Sequence, residues 1–149
     1  MKRVSVLAAL VGLLLLFAGI AWAQLLRNNV NDAARSLDVE MGRLYDQVSQ
    51  SSRLVGVDDY RRLMQVAALR SQAGIFRELI YRKDLGIIQT VFSEIERQAG
   101  QVDRTMRTAP SDMKRRWRNV QSLLSSIHDN LRQADLRPEE FGPPGTPGR

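Results

Sequence analysis

Two side chains in this sequence, Met41 and His128, are of types that ligate a haem iron from opposite faces. A thioether and an imidazole do so only if the fold holds them at one level on neighbouring elements. A second set is suited to binding rather than reaction: Arg61, Arg62, Lys114, Arg115, Arg116 and Arg118. Four of these six fall in the run Lys114-Arg115-Arg116-Trp117-Arg118. Arginine pairs bidentately with carboxylate and phosphate, so such a cluster points to an anionic partner. Each set also has a structural explanation. A methionine on an apolar seam fills core space, a histidine at a seam edge is a boundary residue, and a run of cations is a solvated helix face.

Little else in the sequence carries chemistry. Cysteine is absent, which excludes disulfides, thiolate metal sites, thiol catalysis and covalent c-type haem attachment. The signatures G-x-x-x-x-G-K-S/T, G-x-G-x-x-G, H-E-x-x-H and G-x-S-x-G do not occur. A di-iron carboxylate site needs Glu-x-x-His on two helices. Here the residue three before His128 is Ser125, and His128 is the one histidine. Glu94 and Glu96 stand two apart and point to different sides of a helix. The expectation is a non-enzyme without a metal.

The elements that must position these residues are helical. Met113, Trp117, Val120, Leu124, Ile127, Leu131 and Ala134 recur in steps of four and three, a coiled-coil-like seam. A first helix from Asn28 carries Val30, Ala34, Leu37, Met41, Leu44, Val48 and Val55, with Asn31 or Asp32 as its cap and Gly56 as its break. A second, capped by Asp58, carries a broader face: Tyr60, Leu63, Val66, Ala67, Leu69, Ala73, Phe76, Leu79 and Ile80. A third, capped by Asp84, carries Leu85, Ile88, Phe92, Ile95, Ala99, Val102 and Met106. Pro110 precedes the fourth, for which Ser111 or Asp112 is the expected cap. Short connections make neighbours antiparallel, so the expected fold is all-α, an up-down-up-down four-helix bundle over residues 24–136. The alternative is a flatter arrangement that completes its core as a homodimer.

The ends differ from this middle. Lys2 and Arg3 precede an apolar stretch from Val4 to Ala21, then Ala21-Trp22-Ala23 supplies a small-x-small cleavage pattern. Residues 1–23 are read as a signal peptide, with an uncleaved single-pass anchor as the alternative, since about 20 apolar residues span a bilayer. Either way the positive flank stays inside and the folded part lies outside the cytoplasm, periplasmic or secreted. Of the formal charge of +6, cleavage removes Lys2 and Arg3 and leaves +4. Residues 137–149 are rich in proline and glycine and read as a disordered tail.

In such a bundle Met41 lies about 21 Å below the upper end of the first helix, and His128 about 24 Å below the start of the fourth. The two are level, on neighbouring helices. The segments Leu37-Asp38-Val39-Glu40-Met41-Gly42-Arg43-Leu44 and His128-Asp129-Asn130-Leu131-Arg132 resemble those of the cytochrome b562 family. That resemblance implies haem b with Met41 and His128 as axial ligands, and electron transfer. The chain departs from the family's pattern at Leu131, usually aromatic, and at Leu124, usually arginine.

Sorted by bundle end, Arg53, Arg61, Arg62, Arg104, Arg107 and the cations of 114–118 gather at the upper end with Asp58, Asp59, Asp103 and Asp112. The first turns of a helix disfavour positive charge by a few tenths of a kcal/mol or more, so helix stability does not account for Lys114, Arg115 and Arg116. The leading expectation is an exported, non-catalytic binding or structural module. Its basic end would contact an anionic envelope polymer, lipid head groups or an acidic protein face. Export argues against nucleic acid.

Overall fold

Side chains that recur every three or four residues along the four predicted helices share one interior. The computed structural model describes residues 2–52, 56–81 and 85–135; for 2–24, 26, 52 and 135 it describes the helical backbone but not the side chains. The order is α1 (Lys2–Ser52), α2 (Val57–Leu79), α3 (Leu85–Met106) and α4 (Ser111–Asp135), with no strand among the described residues. The side chains of residues 1–23, expected from the sequence to be a signal peptide, lie outside that description, as do residues 137–149, the expected tail. Among the described residues no helix is long and apolar enough to cross a membrane.

The helices pack as a bundle in which α1 touches α2 and α4, and α3 also touches α2 and α4. Polar pairs along each seam show the sense of the contacts. Between α1 and α2, Arg77 Nη1 donates to Asp38 Oδ2 at 2.5 Å, and Arg35 Nη2 on α1 donates to Tyr81 Oη, just past the end of α2, at 2.7 Å. On α1 and α4, Gln47 donates to Asp112, and Arg116 Nη1 donates to Glu40 Oε2 at 3.3 Å. On α2 and α3, Thr105 Oγ1 donates to Gln65 Oε1 at 3.1 Å, and the rings of Phe76 and Phe92 lie 5.3 Å apart. In each set the partner's number falls as the residue number rises.

The seams of α3 and α4 are the predicted ones. Ile88, Phe92, Ile95, Ala99, Val102 and Met106 are buried, and so are all seven of Met113, Trp117, Val120, Leu124, Ile127, Leu131 and Ala134. On α1, Val30 through Val48 are buried at every predicted position; Val55 lies outside the described residues. Asn31 and Asp32 are not caps, because α1 already runs helically from Lys2. At 51 residues it is about 76 Å long at 1.5 Å per residue.

α2 differs from its expected face. Val66, Leu69, Ala73, Phe76 and Ile80 are buried, but Tyr60 is 63% exposed, and the inner seam continues instead through Arg62. Asp58 does not cap the helix either. The position before Val57 is Gly56 at φ 69°, a conformation glycine adopts without a Cβ penalty, and its carbonyl accepts from Tyr60 N–H at 3.3 Å. Asp58 and Asp59 instead sit in the first turn, where negative charge complements the helix dipole. At α4 the ladder starts from the Pro110 carbonyl, which accepts from Lys114 N–H at 3.0 Å, so Ser111 and Asp112 lie inside the helix.

Candidate anion-binding surface

The connection between α3 and α4 is short, and three interactions hold it. Ala109 N–H donates to Met106 O at 3.1 Å, and Ala109 itself is buried. From α2, Arg62 reaches under the turn. Its Nε donates to Thr105 O at 3.1 Å, its Nη2 to Thr108 Oγ1 at 3.2 Å and its Nη1 to Asp59 Oδ1 at 2.5 Å. A helix leaves its last carbonyls without intrahelical donors, and Arg62 supplies one from the side. Only 3% of Arg62 is exposed. It was expected among the cations that meet a partner; its guanidinium is instead enclosed and bonded, because the end of α3 needs a donor there.

Trp117 locks α4 against α3. Its Nε1 donates to Asp103 Oδ1 at 2.9 Å, and Gln121 Nε2 donates to the same oxygen at 2.8 Å. Arg116, one residue earlier, points to the other neighbour. Its Nε donates to Gln47 Oε1 at 3.1 Å, and its Nη1 meets Glu40 on α1. Arg116 is half-buried in this clasp, so it too is largely spent on structure.

What faces water at this end is a narrower set. Lys114, Arg115 and Arg118 on α4 are exposed, as are Arg104 on α3 and Arg107 just past its end. None of these five side chains has a hydrogen bond or ion pair among the described residues. Arg61 is exposed as well. It pairs with Asp58 at 3.2 Å, but both partners are open to solvent, and such pairs contribute little. Arg53 lies outside the described residues. Arg104 and Arg107 were part of the charge sum but not of the expected contact set. They precede Lys114 by ten and seven residues, and the short connection is the signal that joins them to it.

The haem pair is not assembled. Met41 has no exposed surface and is packed in the core. His128 is half-exposed, and its Nδ1 lies 2.8 Å from Glu96 Oε1 on α3. It borders an open groove of about 410 Å³ lined by Gln89, Phe92, Ser93, Glu96, Leu131 and Arg132, and Met41 is not part of that lining. A haem held by both residues would need His128 turned towards α1 and Met41 opened to the same space, so the residues do not fit the group. No cluster of three or more metal-binding side chains occurs among the described residues.

Compared with protein-family models, curated proteins and solved structures, the chain matches none.

Proposed function

We propose that this protein is an exported, non-catalytic bundle with up-down-up-down topology that binds an anionic partner through its α3–α4 end. The observation that carries the reading is the set Arg104, Arg107, Lys114, Arg115 and Arg118, which are exposed and unpaired among the described residues. Cations already used internally, Arg62 and Arg116, are excluded from the contact set. The falling partner numbers along each helix pair support the topology. Lys2-Arg3, the apolar stretch Val4–Ala21 and Ala21-Trp22-Ala23 support export.

Recognition would be electrostatic and arginine-led, with guanidinium groups forking onto phosphate or carboxylate oxygens. The partner classes are an acidic envelope polymer, lipid head groups or an acidic protein face. Replacing Lys114, Arg115 and Arg118 together with Gln should abolish binding to anionic vesicles and to an acidic polymer. Wild-type binding should fade as added salt shrinks the Debye length to about 3 Å. Binding that ignores both changes would refute the reading. Sequencing the N-terminus of the protein from its host tests export: a start at Gln24 supports cleavage, and a start at Met1 favours the anchor.

A further inference from the structure

The cations of the α3–α4 end continue down one side of the bundle. On α4, Arg118, Ser125 and Arg132 each follow a buried seam residue, on the side that faces α3. They stand seven apart, the interval that keeps a row beside the same neighbour in a bundle with coiled-coil packing. The matching row on α3 is Ser93, Gly100 and Arg107, and all six residues are exposed. The contacts Glu96–His128 and Asp103–Gln121 set the two rows against each other. Arg107 then lies level with Arg118, Gly100 with Ser125, and Ser93 with Arg132. The last pair lines the open groove of about 410 Å³. Higher up, a Cβ on Gly100 would meet nothing within 4 Å. The side chains between the end cations are thus small, and from Arg118 to Arg132 the trough runs about 21 Å.

We propose that this trough holds an acidic polysaccharide lying along the α3–α4 seam. The proposal rests on the anion-binding reading and narrows its partner to one class. Arg107, Lys114 and Arg118 at one end and Arg132 at the other would take the anionic groups. None of these four side chains has a hydrogen bond or ion pair among the described residues, and guanidinium groups fork onto carboxylates. The acids of this face decide between polymers. Asp103 already accepts from Trp117 and Gln121, Glu96 is bonded to His128 with 40% of its side chain exposed, and Asp129 lies further round α4. A chain charged at every link would lay negative charge over Glu96 and Asp103, and like charges repel. Sugar hydroxyls instead donate to a carboxylate, so a chain that alternates anionic groups with hydroxyls matches both the cations and the acids between them. A flat bilayer surface does not enter a trough between two helices.

The test uses the full chain with three probes: hyaluronate, in which carboxylated sugars alternate with neutral ones, polyphosphate, and phosphatidylglycerol vesicles. Hyaluronate should bind most tightly at equal charge concentration. Its fragments should gain affinity with length until they span about 21 Å. Arg132→Gln should weaken hyaluronate about tenfold, the loss of one charged hydrogen-bonding group. Gly100→Phe, which fills open room in the trough, should weaken it too, with helix content and vesicle binding unchanged. Glu96→Ala should weaken hyaluronate and strengthen polyphosphate. The trough is wrong if polyphosphate or vesicles bind more tightly than hyaluronate, or if Glu96→Ala strengthens every probe. It is equally wrong if hyaluronate ignores both Arg132→Gln and Gly100→Phe. In any of these cases, loss of binding in Lys114→Gln/Arg115→Gln/Arg118→Gln would leave the anion-binding reading standing without the trough. Unchanged binding in that triple variant would remove both.

Discussion

α2 and α4 present the same kind of face to the core and opposite kinds to water. Inward, each offers an unbroken row of side chains three or four apart: Val66 to Ile80 on one, Met113 to Ala134 on the other. Outward, α2 shows Val57, Tyr60, Met64 and Ile75, whereas α4 shows Lys114, Arg115 and Arg118 followed by Ser122, Ser125 and Ser126. The inner rows are nearly interchangeable in composition and need only be apolar and well spaced. The outer rows answer to whatever lies beyond the bundle. On a plain helical bundle the outward residues are therefore the informative ones about function.

Truncations of the inner rows should have the largest effects and should be alike on both helices. Phe76→Ala on α2 and Trp117→Ala on α4 each remove a large buried aromatic and should cost about 3–5 kcal/mol in chemical denaturation. If only one proved costly, the two inner rows would not be equivalent. Next comes Arg62→Met, the point where α2 breaks its apolar row with a cation. It removes the guanidinium that donates to the Thr105 carbonyl, Thr108 and Asp59, and should destabilise the fold by about 2–3 kcal/mol despite adding apolar surface. A neutral result would mean water replaces the guanidinium under the turn.

Two gains should be smaller. Gly74 lies within α2, and a Cβ there would meet only Asp38 Oδ1 at 3.8 Å, an ordinary contact. Gly74→Ala should therefore raise stability by about 1 kcal/mol. On α4, Arg115→Gln should raise the melting temperature slightly, because it removes a positive charge near a helix N-terminus worth a few tenths of a kcal/mol. A drop on that substitution would show that Arg115 stabilises the fold rather than awaiting a partner.

The smallest expected effect belongs to α3 and serves as a control. The Glu94 carboxyl is held down to about 2 from its ordinary 4.5, mainly by its hydrogen bond from Arg97, with Gln98 and Gln72 also donating. A carboxylate depressed in the folded state adds stability above its unfolded value, and that stability is lost as pH falls towards 2. Glu94→Gln should flatten this part of the stability–pH curve and leave neutral pH nearly unchanged. The exposed pair with Arg97 makes the effect weak.

Most of the core was legible in the sequence because burial imposes a period, and a period survives without coordinates. Every predicted seam residue of α4 is buried, and so is nearly every one of α3. Two features were not legible, for different reasons. Tyr60 and Arg62 exchange expected roles, the tyrosine outside and the arginine inside, because a C-terminal carbonyl on another helix needed a donor. Composition does not register a demand that arises forty residues away. His128 shows the second limit. A residue flanking a seam faces one neighbour or the other according to the hand of the bundle, which periodicity leaves open. On α4 the residues just after a seam position, Gln121 and His128, meet α3, and the residue just before one, Arg116, meets α1. His128 therefore pairs with Glu96 and not with the helix bearing Met41.

The hydrogen bond from Trp117 to Asp103 has a practical consequence. The chain has two tryptophans, and the other, Trp22, lies just before the proposed cleavage point. A protein cleaved after Ala23 would thus emit from one indole, buried beneath the exposed cations and tied by its N–H to α3. Its fluorescence would work as a built-in gauge of that end. A red shift would report α3 parting from α4, and a change on adding an anionic ligand at constant melting temperature would report occupancy without any added label.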